Sequence, residues 1–385
     1  EEGSKHIQVE QKDPAVNPTF VSKYTSDNIS NNSVIVVCGD KSKVVNYSDM
    51  YETSIDYNTY SQQVTGFDGE GQLTSAMNYV ISEDMPILYT LEGHEEAAMS
   101  ENMKETIQKA NIEIQNLNLL TEEAVPEDAE CLFVFAPAKD LTEDEANKII
   151  EYLEQGGKAL IVSNYTDQDM TNFNRVLENY GVQPVNGIVF EGDSDHYVSQ
   201  NPYYLLPDIE SNEITSELSS ESRFVLTALS QGIQKMDKVR DTLEINSILK
   251  TSGSAYSKTD LENMETIEKE EGDISGPFDL GVMIKEKVDE ERETQIVYFA
   301  SQSIFDDTMN AMVSGTNYEL LAASLGWMCN TEEVNMVSIP AKDYDTSSLL
   351  IPATDVHFWS ISVTVIVPLA VIILGFGIWM KRRKQ

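Results

Sequence analysis

The sequence predicts an α/β protein: a doubly wound parallel-sheet domain, a smaller α/β unit ahead of it, and one C-terminal transmembrane helix. Three observations carry this. Apolar strand runs alternate with helical runs from residue 86 to about 165, the pattern of successive βαβ crossovers. The run 131–136 (CLFVFA) is continuously apolar, as in a strand covered on both faces. Residues 358–380 carry no charged side chain. As a helix they span roughly 35 Å, enough for a hydrocarbon core of about 30 Å.

The smaller unit takes residues 1–82. Residues 6–9 read as an edge strand, followed by turn signals at Asp13-Pro14 and Asn17-Pro18. The β-branched run 34–38 (VIVVC) reads as a buried strand that Gly39-Asp40 turns into a hairpin partner at 43–47. Residues 51–60 are polar and aromatic without a clear period, and 66–71 read as a loop. Leu73, Ala76, Met77, Val80 and Ile81 then share one helical face.

The larger domain takes residues 83–342. Strands are expected at 87–91, 112–117, 131–136 and 159–162, with helices at 97–110, after Asp140, and around Phe173 to Tyr180. Met99, Met103 and Ile107 form the stripe of the first helix. Thr142 with Glu145 three residues on is a capping box, and the acids of that first turn suit the positive end of the helix dipole. Gly156-Gly157 stops that helix and Gly181 closes the next. Residues 186–275 are less regular: short strands at 188–190, 224–226 and 243–248, an acidic aromatic loop at 192–207, and a charged surface excursion at 262–273. Strands return at 278–284, 296–300 and 334–339, and Tyr318, Leu321, Ala322, Leu325 and Met328 mark an amphipathic helix. Residues 343–357 are a Ser/Thr-rich spacer before the membrane run 358–380 and the basic tail 381–385.

Trp359 and Trp379 stand near the two ends of that run, where amphipathic rings prefer the headgroup layer. Lys381, Arg382, Arg383 and Lys384 follow it and should stay cytoplasmic, which puts the rest of the chain outside. Pro368, inside the run, is compatible with lipid when a nearby hydroxyl or helix serves the freed carbonyl. Removing the four tail cations from the formal charge of −39 leaves −43 on residues 1–380. Such an acidic bulk argues against nucleic acid and against docking on anionic lipid. Cys38, Cys131 and Cys329 are too few and too scattered for a disulfide framework and read as thiols, two of them beside or within strands. N-x-S/T triplets at Asn28, Asn31, Asn46 and Asn164 are acceptors only in a host with glycosylation machinery. The chain starts at Glu1 without a leader; an exported bulk needs one, so preceding sequence is expected.

Open α/β sheets hold ligands beyond the carboxyl ends of their strands. That rule selects Glu92, His94, Glu95 and Glu96, then Asn164-Tyr165, then Ser301 to Ser303. His94 is either a base or ligand, or a structural turn residue that serves the backbone or the next helix. The HEEAA run lacks the second histidine of H-E-x-x-H, so no zinc site of that kind is expected. Asp193, Asp195, His196, Tyr197, Tyr203 and Tyr204 combine carboxylates with stackable rings, suited to sugars or cations, or alternatively a packed surface loop. No G-x-S-x-G or G-x-C-x-G elbow, no G-x-x-x-x-G-K-[ST] loop and no G-x-G-x-x-G after a strand occurs. No catalytic residue, cofactor or metal is therefore expected.

The segments PILY (86–89) with Gly93-His94-Glu95, LLT (119–121), DLTEDEANKIIEYLEQGG (140–157), EGDS (191–194) with His196-Tyr197, PYYLLP (202–207) and GPF (276–278), ending in the anchor and basic tail, follow one another along nearly the whole chain. In that order they resemble the gliding-motility-type, or GldG-like, auxiliary proteins of ABC transporters. The resemblance implies a flavodoxin-like fold similar to glutamine amidotransferases for the larger domain. It also implies a thioredoxin-like layout for the partial N-terminal unit, a further membrane helix ahead of it, and partnership with a separate ABC permease and ATPase in a bacterial cell membrane. The absence of the amidotransferase elbow argues against that activity here.

The leading expectation is a non-enzymatic, membrane-anchored auxiliary subunit whose ectodomain binds substrate or the permease. The alternatives are a cell-envelope glycan- or peptide-binding module using the 92–96 turn and the 193–204 loop, and a hydrolase built on His94 and nearby carboxylates.

Overall fold

The computed structural model describes residues 6–13, 16–17, 19–25, 29–56, 61–82, 85–220, 223–261, 266–290, 292–329, 342–344 and 353–383. They form two compact units: residues 1–85 with 109–111 and 331–345, and the remainder.

In the smaller unit, β1 (Val34–Cys38) and β2 (Lys41–Val45) pair antiparallel. Gly39, at φ +57°, opens their two-residue turn, a position where only glycine is free of strain. A second antiparallel pair, β3 (Tyr51–Asp56) and β4 (Ser61–Phe67), arises where the sequence showed no period. Residues 6–9 make no strand. Helix α1 (Gly69–Ile81) buries Ala76 and Val80, but Met77 and Ile81 are 36% and 67% exposed. The buried stripe is thus rotated from the expected face toward Gly69 and Gly71. A Cβ on Gly69 would stand 2.4 Å from Cζ of Phe67. Glycine lets that ring lie over the first turn, where it joins Val45, Met50 and Ala76 in a small core.

The larger unit is built on a ten-stranded sheet. The chain runs through β5 (Ile87–Leu91), α2 (Glu101–Lys109), β6 (Glu113–Leu117), β7 (Ala129–Phe135), α3 (Glu143–Glu154), β8 (Lys158–Val162) and α4 (Thr171–Asn179). Next come β9 (Val182–Pro184), β10 (Ile188–Phe190), β11 (Tyr197–Val198), β12 (Asn201–Leu205), β13 (Asp208–Ile209), α5 (Ser216–Ser220), β14 (Thr227–Ala228), β15 (Ile233–Lys235) and β16 (Leu243–Lys250). The remainder is β17 (Tyr256–Lys258), β18 (Ile274–Ser275), β19 (Asp279–Lys287), β20 (Glu293–Phe299), α6 (Asp307–Met312) and α7 (Thr316–Cys329). The main order is β13-β16-β19-β20-β8-β7-β5-β6. The five strands β6, β5, β7, β8 and β20 are parallel, as expected. Beyond β20 the sheet continues antiparallel through β19, β16 and β13. The irregular stretch 186–275 supplies β16 and β13 of this extension, so it completes the sheet.

Alternate side chains of the central strands serve opposite helical layers. Leu132, Val134, Ala159, Ile161, Ile296 and Tyr298 pack in one core with Ile149 and Leu153 of α3 and Phe173 and Val176 of α4. On the other face, Cys131 Sγ lies 3.9 Å from Met328 Sδ of α7, and burial pushes the Cys329 thiol well up after its Cys131 contact does the same. The stripe expected of helix α7, Tyr318, Leu321, Ala322, Leu325 and Met328, is buried, and Asn317, Leu320 and Ser324 are fully buried with it. Asn317 is served by the backbone. Its Nδ2 donates to the carbonyls of Leu226 (2.7 Å) and Ile304 (2.8 Å), and its Oδ1 accepts from Leu226 N (3.1 Å). Asn317→Leu leaves three backbone groups unserved and is expected to cost roughly 3 kcal/mol, read as a lowered unfolding midpoint of the full chain in detergent. An unchanged midpoint refutes this role.

Local differences from expectation have local causes. Helix α2 starts at Glu101, not at 97, because Ala97 N bonds to Phe135 O (3.0 Å) and Ser100 Oγ caps the helix at Met103 N (3.1 Å); Met99 precedes the helix. Residues 224–226 are not a strand; β14 forms just after them. Of the charged excursion, Glu270 and Asp273 are pinned by the buried Lys258 ammonium at 2.7 and 3.3 Å. The strand expected at 334–339 and most of the spacer 343–357 lie outside the described residues.

The C-terminal stretch is helical over α8 (Ala353–Ile361), a π-helical turn (Ser362–Ile366) and α9 (Val367–Arg383). Residues 358–383 are long and apolar enough to cross a membrane and, among the described residues, none of that apolar stretch is buried. The widened turn precedes Pro368, whose ring cannot follow a regular α-turn. Thr364 Oγ1 donates to Ser360 O at 2.5 Å beside it. The helix continues through Lys381, Arg382 and Arg383, past the expected end at 380, and the Arg383 guanidinium sits 5.1 Å from the Trp379 ring. Lys384 lies outside the described residues.

Candidate functional site

Strand order reverses between β5 and β7: the chain moves from β5 to β6 on one side and through β7 and β8 to the other. The crevice beyond such a switch is where open sheets seat ligands. Here the protein's own turn fills it. The His94 carbonyl accepts from Ala138 N and Lys139 N, both at 3.0 Å. The His94 side chain, 5% exposed, lies between two carboxylates. Its Nδ1 is 3.3 Å from Glu96 Oε1 and its Nε2 is 3.1 Å from Glu145 Oε2. Glu145 Oε2 also accepts from Thr142 N (2.9 Å) and Thr142 Oγ1 (2.7 Å), while Thr142 Oγ1 accepts from Glu145 N at 3.3 Å. The capping box legible in the sequence is therefore joined by a histidine from the β5 turn. One buried carboxylate ties that turn to the start of α3.

The electrostatics agree with this arrangement. The Glu96 hydrogen bond raises the His94 pKa above its ordinary value, burial opposes it, and Glu145 adds to the rise. Burial works to raise Glu96, but the His94 ring and the backbone N–H groups of Gly93 (3.1 Å) and His94 (2.9 Å) outweigh it and hold that carboxyl low. Glu145 Oε1 is buried with no hydrogen-bond partner among the described residues. Of the neighbouring candidates, Glu92 is exposed, and Glu95, at φ +55°, points into an exposed ion pair with Lys139 at 2.6 Å. At the end of β7 stands Ala136 at φ +47°. It has a methyl group where an elbow nucleophile would carry its reactive atom.

The second group is not one platform. Tyr203 and Tyr204 are neighbours on β12 with ring centroids 5.2 Å apart, tilted by 55°, yet each packs into a different cluster. Tyr203 packs on the Phe190–Tyr256 cluster, and Tyr204 on Val198, Leu206 and Leu226. Tyr197 is half-buried in β11, opposite Leu205. The acids stay at the edge. His196 stands 3.4 Å from both Asp193 and Asp208, and Asp195 N bonds to Asp193 Oδ1 at 3.1 Å. Asp195, His196, Asp208 and Arg223 line a cavity of about 250 Å³ there. Among the described residues no group of His, Cys, Asp or Glu side chains could hold a metal ion. Ser301 and Ser303 both donate to Ala228 O at 2.8 Å and so anchor β14.

Asn164 is legible in the sequence as a residue at a strand's carboxyl end, but its setting is not. A cavity of about 240 Å³ opens beyond β7 and β8, lined among others by Asn164, Gln168, Asn174, Asn186 and Gln231. Asp140, outside the lining, positions α4: its carboxylate accepts from Asn172 N (2.9 Å) and Phe173 N (2.8 Å) and so holds the start of that helix. Residues this far apart in the chain meet only once the sheet is assembled, and amide side chains carry no spacing signal that would reveal it.

Residues 68–203 match the family model described as ABC-type uncharacterized transport system. No curated protein matches the chain. Among solved structures, the mmIFT52 N-terminal domain is similar at 15% identity and TM-score 0.47, over 64% of this chain and 98% of that one. A ThuA-like protein from Bacteroides uniformis follows at 14% and 0.38, over 66% and 97%. A glutamine amidotransferase from Thermotoga maritima is similar at 10% and 0.33, over 65% and 100%. The matched segment runs from the start of α1 into β12 and includes the His94 turn, the Thr142 capping box and residues 192–203 of the acidic aromatic loop. Over that segment the chain is similar to auxiliary components of ABC-type transport systems.

Proposed function

We propose that this protein is a membrane-anchored, non-enzymatic auxiliary subunit of an ABC transporter of the GldG-like kind. In this reading its folded bulk lies outside the cytoplasm and its partners are a permease and an ATPase. The observation that carries the reading is the family match over residues 68–203 on a chain that also bears the apolar helix 358–383. The residues at the sheet's switch support a non-catalytic role: His94 has both ring nitrogens occupied by carboxylates, and the strained Ala136 offers no nucleophile. The His94 turn then serves as a latch, and the acidic edge of Asp193, Asp195 and Asp208 around His196 is the part offered to a cationic partner segment. Basic residues after the helix favour a cytoplasmic tail.

Two measurements test this. Mild solubilisation of the tagged full chain should co-purify a polytopic permease and an ATPase; recovery without either removes the transporter reading. Cys38 is exposed whereas Cys131 and Cys329 are buried. A membrane-impermeant maleimide should therefore label intact cells at Cys38, and labelling that appears only after lysis reverses the orientation.

A further inference from the structure

We propose that the cavity beyond β7 and β8 is a binding site for an uncharged, hydroxyl-rich molecule the size of one sugar ring. It lies at the carboxyl ends of parallel strands, the edge of an open sheet where ligands bind. Its volume of about 240 Å³ corresponds to roughly eight water molecules at about 30 Å³ each, room for a single pyranose.

The lining specifies the chemistry. About a quarter of the chain is charged, yet no charged side chain lines this cavity. A charged ligand would lose its hydration here without an ion-pair partner, and an anion would also meet the field of a strongly acidic chain. The polar groups present are mainly amides. Among the described residues, the side chains of Asn164, Gln168, Asn174 and Asn186 make no hydrogen bond to protein. Each amide offers two donors and an acceptor with two lone pairs, which matches hydroxyls that must donate and accept at once. Met170 and Phe173, both nearly buried, give an apolar floor for the C–H face of a ring. This site shares no residue with the His94 turn or the 193–204 loop. It also does not depend on the transporter reading, since binding is measured on this chain alone.

The test is calorimetric titration of the full chain in detergent with D-glucose, D-galactose and N-acetyl-D-glucosamine, with D-glucuronate and D-glucosamine as charged counterparts. At least one neutral sugar should bind saturably, and its charged counterpart at least tenfold more weakly. Asn164→Ala and Asn174→Ala should each weaken binding about tenfold without moving the unliganded unfolding midpoint. If either variant shifts that midpoint, Gln168→Ala, at an exposed position, takes its place. The proposal is overturned if no neutral sugar binds at concentrations that saturate a millimolar site. Equal binding of a charged counterpart, or binding that survives the amide substitutions, overturns it as well.

Discussion

Replacing His94 by alanine is expected to destabilise the larger unit by about 3–5 kcal/mol, the usual cost of removing one partner from a buried ion pair. His94 is 4% exposed and Glu145 is fully buried. The variant leaves a carboxylate that already has one unserved oxygen, Oε1, without its facing cation. The latch should also give stability a recognisable pH dependence. His94 has a raised pKa in the folded state. Its contribution is therefore complete below its ordinary value of 6.5 and is lost as pH rises through the higher folded value. Glu96 has a lowered pKa, so its contribution is complete above 4.5 and is lost as pH falls through the lower folded value. The unfolding midpoint of the wild type should exceed that of His94→Ala by the largest margin between these two limits. The margin should shrink on the alkaline side. Denaturation in detergent across the pH range reads this directly; a margin that does not change between about pH 5 and 8 means the imidazolium does not hold the turn.

A double substitution Val371→Lys with Leu374→Lys is expected to abolish stable membrane insertion. Both side chains are more than 60% exposed on the apolar helix. Insertion scales assign about 2.5–3.5 kcal/mol to each charge near a helix centre, so the pair costs roughly 5–7 kcal/mol. The wild type should resist alkaline carbonate extraction while the variant appears in the soluble fraction. Retention of the variant in membranes shows that something other than this helix anchors the chain. The same exposure explains why the prediction concerns insertion and leaves folding aside: among the described residues this helix packs against nothing.

What was legible in the sequence is what depends on near neighbours in the chain. The period of apolar residues marks β5, β7, α3 and β8 closely, since alternation with helices and a continuous apolar strand are local patterns. The Thr142–Glu145 capping box spans three residues and forms as expected. The charge-free run before the basic tail needs no partner to be recognised. Other features are decided by distant segments. Residues 51–56 become a strand because 61–67 pair with them, and α1 turns its Ala76–Val80 stripe inward because Phe67 lies across Gly69. Asn317 of helix α7 is buried beside the expected stripe because it meets the backbone at Leu226 and Ile304.

The sequence by itself thus determined the α/β class, the parallel centre and the apolar segment near the end. Each follows from periodicity, composition or a contact within a few residues. Only the tertiary structure decided what His94 does, because its second carboxylate comes from Glu145 of α3, far along the chain from the β5 turn, and a histidine's role is set by what faces its two nitrogens. Only the assembled sheet likewise brings Asn164, Asn174 and Asn186 around one cavity, because a binding site is a property of positions in space and amides at such separations share no pattern along the chain.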